Sequence, residues 1–108
     1  MFYENRAAGA VARRRPDGKV EVTIDAHAGK LRMTDQGEEQ PMPLNDYIEF
    51  GVDDRNGNPL VRERRLVTQA AQQLTLVVDG VPGRAGIDPD NKLIDRKPND
   101  NMLPVDNQ

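Results

Sequence analysis

The sequence predicts an all-β domain, an immunoglobulin-like β-sandwich of six to seven antiparallel strands. Three observations carry this. Apolar residues recur with period two along most of the chain, the spacing that buries one face of a strand and leaves the other wet. Compact turn signals such as Pro16-Asp17-Gly18, Asn56-Gly57 and Asp79-Gly80 separate these stretches. No segment shows the 3.6-residue apolar period of a helix, and short alternating strands between turns are the pattern of a sandwich.

The elements follow in order. NRAAGAVARRR (5–15) runs up to the Pro16-Asp17-Gly18 turn and pairs as a hairpin with KVEVTIDAHAGKLRM (19–33). In that second strand Val20, Val22, Ile24, Ala26 and Ala28 face one way. After Gly29 the apolar parity moves to Leu31 and Met33, so one long bent strand with a bulge near Gly29-Lys30 is expected. TDQGEEQPMP (34–43) is polar, has no period and reads as a loop. LNDYIEFGVDD (44–54) alternates again, with Leu44, Ile48, Phe50 and Val52 on one face, and closes a hairpin through Arg55 to Pro59. LVRERRLVTQ (60–69) places Arg62 and Arg64 on the parity of Leu60 and Leu66, which suits an edge strand. QLTLVVDG (73–80) points Leu74, Leu76 and Val78 inward, and VPGRAGIDP (81–89) is a short strand interrupted by Pro82 and two glycines. Beyond Asp90 no period remains. The expected organisation is a single domain over residues 1–104 with a disordered tail at 105–108.

Composition narrows the chemistry. The 108 residues suffice for one modest core. With 4% aromatic residues and no Trp, that core is built from Val, Leu, Ile and Ala. A net charge of -3 and a single basic block, Arg13-Arg14-Arg15, argue against a nucleic-acid partner. No apolar run approaches the ~18–20 residues of a membrane span, so direct membrane insertion by this segment is not expected. Without cysteine there are no disulfides or thiolate ligands. His27 is the only histidine and lies on the wet parity of its strand; alone it cannot assemble a zinc site. Serine is absent as well, so no Ser- or Cys-based nucleophile exists in this chain.

The remaining candidate is AGIDPDNKLIDRKPNDN (85–101), rich in hard oxygen donors. Asp88, Asp90 and Asp95 are the metal candidates, and they support an alternative reading of the chain as a free-standing calcium or glycan module. Counting from Asp88, however, an EF-hand fails: its fifth position is Lys92, its sixth Leu93 and its twelfth Asn99. Side-chain-to-backbone turns, with Leu93-Ile94 as an apolar pin, are the favoured reading. Arg62, Arg64 and Arg65 are the expected docking residues.

PLNDYIEFGV (43–52), GNPLVRERRLV (57–67) and QLTLVVDGVPGRAGIDPDNKLIDRKPNDN (73–101) together resemble the C-terminal region of a group of bacterial membrane proteins. These combine an ABC-type transporter permease with an extracytoplasmic domain similar to the aminopeptidase N type of zinc metallopeptidase. The likeness rests on Val78-Asp79-Gly80, Pro82, Arg84 to Pro89, Asn91 to Arg96, Pro98 and Asp100-Asn101, and extends to FYENRAAGAVARRRPDGKVEVTI near the start. Two positions depart from it: Asn99 stands in place of an aspartate, and Gly83 in place of a β-branched residue. The resemblance implies a non-catalytic accessory domain on the periplasmic face of a bacterial inner membrane. Its partners would be the peptidase and membrane domains of the parent chain. The H-E-x-x-H zinc signature does not occur in these residues, so the resemblance places the zinc elsewhere in that parent.

Overall fold

The computed structural model describes residues 2–89 and 101–107, and every described element is a strand or a turn. Two four-stranded sheets face each other. One has the order β11 (Asp106–Asn107), β2 (Arg6–Arg14), β3 (Val20–His27), β8 (Ala71–Val78). The other has the order β10 (Met102–Pro104), β9 (Pro82–Ile87), β6 (Asp46–Asp54), β7 (Pro59–Val67). A third, three-stranded sheet of β1 (Phe2–Tyr3), β4 (Lys30–Met33) and β5 (Glu39–Pro41) lengthens the molecule to 55 × 24 × 19 Å. Neighbouring strands are antiparallel except β11, which runs parallel to β2.

The core follows the sequence alternation. Ala10, Ala12, Val22, Ile24, Ala26, Leu74, Leu76 and Val78 point inward from the first sheet. Ile48, Phe50, Val52, Val67, Ala85 and Ile87 meet them from the second. Phe50 is fully buried and supplies the one aromatic ring of this core among the described residues.

Three expectations are corrected. The bulge lies on β2, not near Gly29-Lys30: Ala7 pairs with Ala26 and Gly9 with Asp25, which leaves Ala8 as the extra residue. β3 instead ends at His27, just before Gly29. The ribbon continues into the third sheet, where Phe2 faces Leu31 and Tyr3 faces Lys30. The parity shift therefore marked a change of sheet. Secondly, the polar stretch 34–43 is not all loop, because Glu39 to Pro41 pair with Met33 to Leu31 around a turn that ends at Gly37, φ +80. Both faces of this hairpin are largely wet, so its sequence has no apolar period to read. Thirdly, residues 105–107 are not a tail. Val105 is buried and donates its N–H to the Gly83 carbonyl at 2.9 Å, and β11 pairs with Val11 and Ala12.

Candidate functional site

The singled-out residues converge on the outer face of the β10-β9-β6-β7 sheet. Side chains alternate along β6: Ile48, Phe50 and Val52 enter the core, so Tyr47, Glu49, Gly51 and Asp53 face out. Across the ladder Tyr47 is opposite Leu66, Glu49 opposite Arg64 and Gly51 opposite Arg62. On the other side Gly51 is opposite Gly86. Two glycines side by side leave a groove in the sheet surface.

That groove is filled by the protein itself. A Cβ on Gly51 would stand 2.5 Å from Arg62 Nη1 and 2.8 Å from Pro89 Cγ. A Cβ on Gly86 would overlap the carbonyl oxygen of Asn101. The Arg62 side chain thus packs over Gly51, and its guanidinium donates to Asp53 Oδ1 at 2.8 Å and to the Val61 carbonyl at 3.0 Å. Arg62, one of the expected docking residues, is engaged within the domain.

Asp88 has a similar fate. It ends β9 in the left-handed region, φ 46, a conformation that Asp tolerates better than most residues. Its N–H donates to the Glu49 carbonyl at 2.6 Å, and its carbonyl accepts from Asn101 Nδ2 at 3.3 Å. Ile87 N–H in turn donates to the Asn101 carbonyl at 2.9 Å. Asp88 and Asn101 are both 2% exposed. This part of the motif is a backbone joint that ties β9 to β6 and to the segment entering β10. Asp90 and Asp95, with Leu93 and Ile94, lie outside the described residues. Among the described residues no three His, Cys, Asp or Glu side chains converge as a metal group.

The other two arginines differ. Arg65 is on the inward parity of the edge strand and pairs with Glu63 Oε1 at 3.1 Å, both about two-fifths exposed. Arg64 is exposed on the outer face, beside the opposed Tyr47 and Leu66, which are 62% and 44% exposed. His27 is half-buried, opposite Arg6 on one side and Ala71 on the other.

Sequence reasoning missed the role of Gly51 and the close approach of Asn101 to Gly86. Glycine inside an alternating strand was the available signal, since it marks close approach of another group. It also missed the anchor between the third sheet and the sandwich, where Lys30 Nζ lies 3.1 Å from Asp46 Oδ2 and 5.9 Å from the Tyr3 ring centroid. Beside that anchor a cleft of about 300 Å³ opens, walled by Ala28, Leu31, Met42 and Leu44.

No family model, no curated protein and no solved structure matches the chain. No helix among the described residues is long and apolar enough to cross a membrane.

Proposed function

We propose that this chain is a non-catalytic accessory domain, immunoglobulin-like in architecture, of a membrane-anchored aminopeptidase-like protein, and that it packs against the peptidase body on the periplasmic side. The sequence resemblance motivates the reading. The observation that carries it is the fate of the motif residues: Ala85, Gly86, Ile87, Asp88 and Asn101 are buried and joined through backbone hydrogen bonds. Residues that build a joint serve architecture, whereas a catalytic or calcium site keeps donor groups open to a ligand. On this reading the zinc belongs to the parent's peptidase domain. The docking residues are Arg64, Tyr47 and Leu66, a cation beside two exposed apolar side chains, a combination enriched where protein surfaces meet.

The coding sequence upstream of Met1 provides the first test: membrane spans and an H-E-x-x-H motif are expected there. The second titrates this chain against the peptidase body made separately. Binding should weaken about tenfold or more in a Tyr47→Ala, Arg64→Glu double variant. Zinc-dependent hydrolysis of an aminoacyl substrate by the purified chain alone would overturn the proposal.

A further inference from the structure

Among the described residues the two facing sheets end in four edge strands, and they are not equally protected. β7 carries Arg62, Glu63, Arg64 and Arg65, with Glu63 and Arg65 on its inward parity. Inward charges at a sheet edge oppose the addition of another strand. β10 has three residues and ends in Pro104, and β11 has two residues. The part of β2 that β11 leaves uncovered contains the Ala8 bulge. β8 has none of these devices. Its eight residues, AQQLTLVV, include no charge and no proline, and its register with β3 is unbroken from Val20↔Val78 to His27↔Ala71.

The hydrogen-bond phase identifies what β8 offers. Ala28 N–H donates to the Ala70 carbonyl at 2.8 Å, on the same register line as Ile24↔Leu74. Directly opposed residues of an antiparallel ladder alternate between bonded and non-bonded pairs. Even-numbered residues of β8 therefore bond to β3, and Ala71, Gln73, Thr75 and Val77 turn their N–H and C=O groups to an edge that no described strand covers. The β2 side agrees: Arg15 N–H donates to the Lys19 carbonyl at 2.7 Å, so odd-numbered residues of β3 serve β2 and even-numbered ones serve β8. The Gln73 and Thr75 side chains are held on the outer face, by Asp25 Oδ1 at 2.8 Å and the Thr23 hydroxyl at 3.2 Å. They do not cover the edge.

We infer that the β8 edge is an interface for a second copy of this chain, joined antiparallel β8 to β8 about a two-fold axis, so that two four-stranded sheets become one continuous sheet. The charge pattern selects this occupant. β8 meeting β8 brings no charge opposite a charge, whereas β8 meeting the β7 of a second molecule would have to cover four charged side chains. A two-fold contact also closes on itself and does not propagate into a fibre. Keeping the leucine face continuous requires residues of equal parity to oppose each other. An axis at Leu74 satisfies this and uses the whole edge: Ala71 faces the partner's Val77, and Gln73 faces the partner's Thr75. Leu74 then meets the partner's Leu74 and extends the core row.

Sedimentation velocity over a concentration series, with amide hydrogen exchange on the same samples, tests this. The unaltered chain should sediment at twice its 12.1 kDa mass as concentration rises. The amides of Gln73, Thr75 and Val77 should gain protection in step. Gln73→Lys with Thr75→Lys opposes like charges twice across the axis, and should weaken association about tenfold or more. Gln73→Lys with Thr75→Glu opposes unlike charges at the same positions and should retain the dimer. Both variants are compared by circular dichroism to show an unchanged fold. The inference is overturned by a monomer at every concentration or by a dimer whose β8 amides stay unprotected. It is equally overturned by a Lys/Lys variant that associates like the unaltered chain, or by a Lys/Glu variant as monomeric as Lys/Lys.

Discussion

Asp88 illustrates how far individual residues can be read. Its oxygen-rich neighbourhood admits a metal-ligand reading beside the favoured architectural one, and its backbone groups are bonded to Glu49 and Asn101. Glu49 lies on a distant strand, in a chain whose register no local pattern reveals. The contacts of Arg62 are hidden for the same reason, because Asp53 and the bare surface of Gly51 meet it only across the ladder. Gly86 gives a sharp test at this scale. Gly86→Ala directs a methyl group into the Asn101 carbonyl, and should lower stability by about 3 kcal/mol or prevent soluble folding, as measured by urea denaturation. Asp54 gives a second. The backbone N–H of Asn58 first, then that of Asn56, hold its carboxylate and lower its pKa from 3.8. Because the folded value lies below the unfolded one, this contribution is full above pH 3.8 and disappears as pH falls through the lower, folded value. Asp54→Asn should therefore flatten the acid side of the stability profile, followed by denaturation midpoints near neutral pH and below 3.8.

Whole strands were legible where one face is buried. The alternation in β3, β6 and β8 anticipated the inward rows of the core, and the charges of β7 placed it at an edge. β4 and β5 carry no such contrast, and β11 is two polar residues whose pairing with β2 depends on the fold already formed. The Ala8 bulge was equally hidden, since small residues pack on either parity. The inward Glu63 and Arg65 of β7 give the prediction for an element. Replacing both with valine should leave the fold intact but promote edge-to-edge association beyond a dimer, seen as light scattering that keeps rising with concentration where that of the unaltered chain levels off.

For the molecule as a whole, composition anticipated a thin core of small aliphatic side chains. Alanines at 10, 12, 26 and 85 permit the two sheets to approach closely, and Phe50 is the one large ring between them. Phe50→Ala should cost about 3–5 kcal/mol, a large part of the stability of a domain this size, measured by thermal or urea unfolding. The third sheet should respond less, because it adds no residue to the buried core cluster.

The parallel pairing of β11 with β2 also has a mechanical meaning. Two parallel neighbours pulled apart from the start of one and the end of the other slide along their length, so their hydrogen bonds are strained together. Antiparallel neighbours pulled from their shared end open one bond at a time. β11 therefore fastens the chain in shear, and tension entering at β2 and leaving beyond β11 meets its resistance before the sandwich begins to unravel.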